Sequence, residues 1–211
     1  MGEHVILLHG IWMRGFTLTA LARRMRGGGF DSVEILDYAS VAGSVDAAVE
    51  RLARRIEAKA GAVHLVGHSL GGMLALETVA RARVKNCGRI VCLGSPLLGS
   101  AAARGLARVP PARWAMGHSA GVLVNGFERW DADTDVGVIA GRAPFGLGRL
   151  LGALDGPNDG TVSVAETRLP GITDHCVVDA THSGLVFSAE VARLTTAFLH
   201  HGRFPTIQAG A

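Results

Sequence analysis

A serine hydroxyl is a weak nucleophile, and it does chemistry only where a base can take its proton. One serine in this chain stands in such a setting. The run Val63-His64-Leu65-Val66-Gly67-His68-Ser69-Leu70-Gly71-Gly72 reads as a strand, a tight turn and a helix, with Gly-x-Ser-x-Gly at the turn. A strand that turns sharply into a helix exposes the serine at the strand end, and small residues two before and two after it let neighbouring backbone approach. Gly67 and Gly71 fill those places, and Gly72 gives the helix room on the sheet. The helix N-terminus points its dipole at the serine and favours developing negative charge. With 29 glycines in the chain the pentapeptide alone is weak; the strand before it and the helix after it make the signal. The competing reading is a phosphate-binding or structural turn. It lacks support, because no Lys-Ser/Thr pair ends the loop and no Gly-x-Gly-x-x-Gly occurs at the first strand–helix turn.

An oxyanion formed by attack on a carbonyl needs backbone N–H donors. Leu70, directly after the serine, is one. The other is expected from the first strand's end, Leu7-Leu8-His9-Gly10-Ile11-Trp12, where Ile11 is the first choice and Trp12 the alternative. His9 is read as a structural residue, hydrogen-bonded within that loop.

The chain has 9 histidines, so position must choose the base. His182, in Asp179-Ala180-Thr181-His182-Ser183-Gly184, follows the last expected strand and precedes the last helix, at the strand end that faces Ser69. His64 lies in a strand, His118 in an insertion, and His200 and His201 on a helix tail. His68 is bound into the turn as a pocket or loop residue. The acid comes between serine and histidine in chain order. Asp159, in the polar turn Asn158-Asp159-Gly160-Thr161-Val162, is the first choice and Asp155 the alternative. Asp174 and Asp179 straddle the last strand and read as structural.

These residues need a scaffold that brings strand ends together. Six short apolar segments are Val5–His9, Val33–Asp37, Val63–Gly67, Ile90–Gly94, Val136–Ala140 and Cys176–Asp179. Near-continuous apolar runs of this length mark strands covered on both faces. Helical stripes fall between several of them: Leu18, Leu21 and Met25, ended by Gly27–Gly29; Val45, Val49, Leu52 and Ile56 behind Ser44 as N-cap; and the stretch from Leu74 to Ala82. A last stripe, Val191, Leu194 and Phe198, lies between Ser188 and Gly202. The alternation predicts an α/β fold with a mostly parallel, doubly wound six-stranded sheet, helices on both faces, and a single domain over 1–211. Gly99–Asp135 breaks the rhythm. It carries Trp114, Met116, Phe127 and Trp130, too apolar a set for a disordered linker, and it is read as a helical insertion that forms a cap or pocket, or else a structural crossover over the sheet edge. Trp12, Met13, Trp114 and Met116 are candidates for an apolar mouth, against plain core packing.

Composition narrows the function classes. The chain is 48% hydrophobic and 18% charged, with a formal net charge of +3. Its arginine groups, such as Arg23, Arg24 and Arg26, fall on polar helix sides, and one tyrosine in the whole chain leaves no aromatic interleaving for a nucleic-acid groove. Cys87, Cys92 and Cys176 have no metal-ligand spacing; Cys92 and Cys176 read as core residues. The start Met1-Gly2-Glu3-His4 runs directly into a strand without a basic leader, and no apolar run is long enough to span a bilayer, which predicts a cytoplasmic location. Oligomeric state is not legible.

Taken together, His9-Gly10-Ile11, Gly67-His68-Ser69-Leu70-Gly71-Gly72, Asn158-Asp159-Gly160-Thr161-Val162 and Thr181-His182-Ser183-Gly184-Leu185 resemble the small bacterial esterases and lipases of the α/β-hydrolase superfamily. The nearest likeness is to the minimal lipases and the lipase-like relatives of the GPI inositol-deacylase. The resemblance runs from the first strand to the last helix. It implies a minimal α/β-hydrolase fold, a triad of Ser69, Asp159 and His182, oxyanion donors at Ile11 and Leu70, and hydrolysis of a small-molecule carboxylic ester without metal or organic cofactor. The chain departs from the smallest lipases in its 99–135 insertion, which puts substrate size in doubt. A thioesterase or acyltransferase would use the same acyl-enzyme. A binding protein on the same fold would have no reason to keep the triad.

Overall fold

The computed structural model describes residues 2–109, 114–144, 154 and 156–206. Six strands form one sheet: β1 (Glu3–Leu8), β2 (Ser32–Leu36), β3 (Ala62–His68), β4 (Cys87–Leu93), β5 (Val136–Gly141) and β6 (Asp174–Val178). Their order is β2-β1-β3-β4-β5-β6, and every neighbouring pair is parallel. All carboxyl ends therefore lie on one edge. The connection from β1 goes to one side and β3 stands on the other, which opens the crevice where ligands bind in such sheets.

The continuous apolar runs have a direct cause. Side chains alternate across a strand, so a sheet covered on both faces needs apolar residues at every position. Ile6 and Leu8 of β1 enter one core while Val5 and Leu7 enter the other, and Ile90 and Cys92 of β4 alternate in the same way with Val91 and Leu93. The first core is closed by α2 (Val45–Glu57) and α3 (Leu70–Ala82), which bring Leu52, Ile56, Leu74 and Leu76; the second is closed by α1 (Thr19–Met25) and, at the chain's end, Ala189–His201, which brings Leu194 and Phe198. Ser44 and Ser188 cap their helices as expected, each hydroxyl accepting the N–H three residues on. Gly202 ends the last helix in the left-handed conformation.

The strand bounds differ from the sequence expectation by up to three residues, most at the start of β4. The third helix begins at Leu70, directly after the serine, and β4 begins at Cys87. The amphipathic stripe marks where α3 packs, while its first turn is set by the elbow.

The insertion holds α4 (Ala101–Ala107) and α5 (Ala120–Asn125), so the final helix Ala189–His201 is α6. Three tethers join it to loops at the carboxyl edge. Trp12 Nε1 donates to the Ala115 carbonyl at 2.7 Å, Ser119 Oγ donates to Ser40 O at 2.5 Å, and the His118 amide donates to Val41 O at 3.4 Å. The insertion thus lies beside the β1–α1 and β2–α2 loops. No helix among the described residues is long and apolar enough to cross a membrane.

Candidate active site

Ser69 leaves β3 with φ 53° and ψ −119°, a conformation that costs a residue with a Cβ on the order of 1–3 kcal/mol. The surroundings hold it there. The Ser69 amide donates to Leu93 O at 2.8 Å, extending the β3–β4 pairing to the turn itself. Backbone packs so tightly that a Cβ on Gly67 would lie 2.2 Å from the Gly72 nitrogen, and one on Gly71 would lie 2.3 Å from Leu8 O. Glycine is required at both. Leu70 is the first residue of α3, so its N–H has no intrahelical acceptor and remains available at the helix's positive end.

The polar turn after β5 carries Asp159, which is 1% exposed. One carboxylate oxygen, Oδ1, accepts the amides of Thr161 at 2.9 Å and Val162 at 2.7 Å. The other, Oδ2, meets His182 Nδ1 at 2.7 Å. The His182 amide also donates to Asp159 O at 2.9 Å, so backbone and side chain tie the two loops together. A carboxylate only accepts, which places the proton on Nδ1 and leaves Nε2 as an acceptor. Sequence-distant strand ends meet here: a Cβ on Gly94, after β4, would sit 3.0 Å from Asp159 Oδ2 and 3.2 Å from His182 Nδ1. Gly94 has φ +56°, and its missing side chain is what admits the pair.

Burial, and then the adjoining His182 ring, push His68 down to about 3, so it is neutral at ordinary pH. Its Nε2 contacts His182 O at 2.9 Å, and the two rings lie 4.7 Å apart. A carbonyl only accepts, so Nε2 carries the proton. His68 therefore links the serine turn to the histidine loop. The sequence reading bound it to the elbow and missed that link, because no spacing rule relates positions 68 and 182. Gly94 was missed for the same reason.

The β1–α1 loop is fixed by three buried or half-buried groups. His9 stacks on Tyr38 with centroids 4.3 Å apart, and its Nδ1 meets Gly10 O at 2.9 Å. Its Nε2 lies 3.0 Å from Asp37, and the Tyr38 hydroxyl donates to His9 O at 2.6 Å. The expected structural role of His9 agrees with this geometry. Ile11 is half-buried in the loop so held, and Trp12 next to it has φ 58°.

The four mouth candidates separate. Met13 is half-buried, and its sulfur and the Ser69 Cβ both lie 3.2 Å from where a Gly10 Cβ would stand. Trp12 is 53% and Trp114 81% exposed. Met116 is 1% exposed and packs into the core with Leu70 and Leu123, which corrects its place in the mouth: an apolar side chain on the inner side of the insertion reaches core before it reaches the site. Asp155, the alternative acid, lies outside the described residues. Asp174 and Asp179 serve elsewhere, as an acceptor for the His175 and Phe204 amides and as a partner of Arg142. No motif or spacing points to Glu166, a buried carboxylate that accepts from Ala101 N at the start of α4 and from Ser163 N and Oγ, joining the insertion to the acid loop.

Beside the elbow runs a narrow apolar crevice whose free interior is about 10 Å³, room for one water-sized group. Leu70 and Leu74 of α3, Tyr38 and Val45, and Ser119 and Val122 of the insertion wall it.

The Alpha/beta hydrolase family matches residues 5–192. No functionally curated protein matches the sequence. Among solved structures, the chain is similar to a mature Bacillus licheniformis lipase at TM-score 0.76 and 19% identity, covering 94% of this chain and 91% of that one. It is similar to a Paleococcus ferrophilus monoacylglycerol lipase at 0.62 and 18%, covering 94% of each. A metagenomic carboxyl esterase aligns at 0.67 and 17%, covering 94% of this chain and 75% of its own.

Proposed function

We propose that this chain, which belongs to the alpha/beta hydrolase family, is a serine carboxylic-ester hydrolase that works through an acyl-enzyme on Ser69. One observation carries the reading: the Asp159–His182 pair, locked at 2.7 Å with Nε2 left as an acceptor, stands at the same sheet edge as the strained serine. His182 Nε2 takes the Ser69 proton as Oγ attacks the ester carbonyl. The Leu70 N–H and the Ile11 N–H receive the oxyanion, and the dipole of α3 favours it. His182 then protonates the leaving alcohol. Water, deprotonated by the same nitrogen, attacks the acyl-enzyme and frees the acid. Asp159 orients the imidazole and stabilises its cation.

The acyl chain enters the crevice between Leu74, Val45 and Val122, which begins at Leu70 next to the nucleophile, by parting these side chains, since the free space between them is about 10 Å³. Each methylene placed there contributes about 0.8 kcal/mol. The insertion is thus half of the pocket, through Val122 and Ser119 rather than through its tryptophans.

A fluorophosphonate probe followed by peptide mapping tests the assignment. Label on Ser69, and its loss in Ser69→Ala with a turnover drop on the order of 10⁶, is the expected result. Hydrolysis of nitrophenyl esters by Ser69→Ala within tenfold of wild type would overturn it.

A further inference from the structure

Among the described residues, three other than glycine have φ above zero: Trp12, Ser69 and Arg83. Arg83 ends α3 in the left-handed conformation, an ordinary place for it. The other two stand at the site. Ser69 precedes Leu70 and Trp12 follows Ile11, so each adjoins one of the two proposed oxyanion donors.

The Met13 amide donates to Gly10 O at 3.3 Å, which closes a turn over Gly10–Met13 with Trp12 in third place. With a positive φ of 58° at Trp12 and none at Ile11, this is a type II arrangement, in which the third place favours glycine. The sign of that φ sets which way the Ile11–Trp12 peptide faces. A turn relaxed to negative φ would flip that peptide and redirect the loop that carries the Ile11 N–H. A bulky residue in this conformation must be held there from outside.

Packing does not hold it. The Trp12 ring is 53% exposed and belongs to neither core cluster, whereas Ile11 packs against the first core. The Trp12 side chain is tied instead by its indole N–H, which donates to Ala115 O at 2.7 Å across 103 residues. The far end of that bond is anchored. Met116, next in the chain, is 1% exposed in the same core as Leu70, and the His118 amide donates to Val41 O. Glycine would suit the turn without strain; tryptophan adds a donor long enough to reach the insertion.

We propose that Trp12 is a positioning residue for ester hydrolysis: its indole bond to the insertion holds the left-handed turn that aims the Ile11 N–H at the oxyanion. This rests on the reading of Ser69 as nucleophile and Ile11 as donor. It makes the insertion a support of the oxyanion loop as well as a wall of the crevice.

Trp12→Phe keeps the ring and its strain and removes the N–H. Turnover of nitrophenyl acetate should fall on the order of tenfold with KM nearly unchanged, less than the roughly 10²–10³ that deleting an oxyanion donor costs. Affinity for an alkylboronic acid, whose oxygen takes the oxyanion place, should fall in parallel. Trp12→Gly removes the bond and the strain together, so its turnover should exceed that of Trp12→Phe. A role confined to folding predicts a lower melting temperature with the turnover of the folded protein unchanged. A ring that only touches substrate predicts a raised KM, with Trp12→Gly worse than Trp12→Phe. Either result, or turnover of Trp12→Phe within about twofold of wild type, would overturn the proposal. Failure of the underlying reading shows separately, as hydrolysis that survives Ser69→Ala, and it would overturn the positioning role with it.

Discussion

Replacing Asp159→Asn removes one charge and changes one atom type, and the structure fixes which way the new amide must point. Oδ1 of Asp159 accepts two buried backbone N–H groups, from Thr161 and Val162. An amide turned the other way would aim its NH₂ at both donors and leave them unpaired, at about 1–3 kcal/mol each. The amide oxygen therefore keeps the Oδ1 place, and the NH₂ takes the Oδ2 place, 2.7 Å from His182 Nδ1. An NH₂ only donates, so Nδ1 must give up its proton and Nε2 must carry one. The nitrogen that should accept the Ser69 proton becomes a donor. The same acid-to-amide change in a serine-protease triad costs about 10⁴ in turnover, or about 5.4 kcal/mol of barrier. The fold should survive, because every hydrogen bond of the turn is kept in number. Turnover of a nitrophenyl ester and thermal melting, measured on the same preparation, check this. A variant that melts normally and keeps more than a tenth of wild-type turnover would refute the reasoning and move the acid to Asp155.

Gly94→Ala forces a strained φ and a methyl group against Asp159 Oδ2 and His182 Nδ1; turnover should fall at least tenfold with KM nearly unchanged, whereas a loss confined to melting temperature would make Gly94 purely structural. Filling the crevice with Val122→Trp should lower activity on octanoate esters far more than on acetate esters, and an unaltered chain-length profile would retire the crevice as the acyl site. The depressed titration of His68 gives a pH test. Its folded pKa of about 3 lies below the ordinary 6.5, so below about pH 6.5 the unfolded chain binds a proton that the folded chain refuses, and stability falls towards acid and is level above. The melting-temperature advantage of wild type over His68→Gln should therefore shrink between about pH 7 and pH 5, and a constant difference would show that His68 is not held neutral. The same variant keeps an N–H donor for His182 O, so its ester turnover should exceed that of His68→Ala; equal turnover in the two would remove the positioning role.

Much of this was legible along the chain because it is local. Short, near-continuous apolar runs name the six strands, and Ser44, Ser188 and Gly202 mark helix ends through bonds that span three or four residues. The elbow is local as well: Gly67, Ser69 and Gly71 lie within one turn, and the strained φ of the serine follows from the strand and helix that flank it. His182 and Asp159 were reachable from chain order and from their places after strands. What the tertiary structure alone decided is contact between chain-distant groups. The 2.7 Å Asp159–His182 bond, the closeness of Gly94 to both, and the bond from His68 to the His182 carbonyl all depend on β3, β4, β5 and β6 standing side by side. The insertion shows the same limit. Its composition marked it as packed, but which apolar residue faces inward depends on the tethers from Trp12, Ser40 and Val41. Those tethers turn Met116 into the core, Val122 to the crevice and Trp114 to the outside, because a short helix offers several apolar faces and only its neighbours select among them.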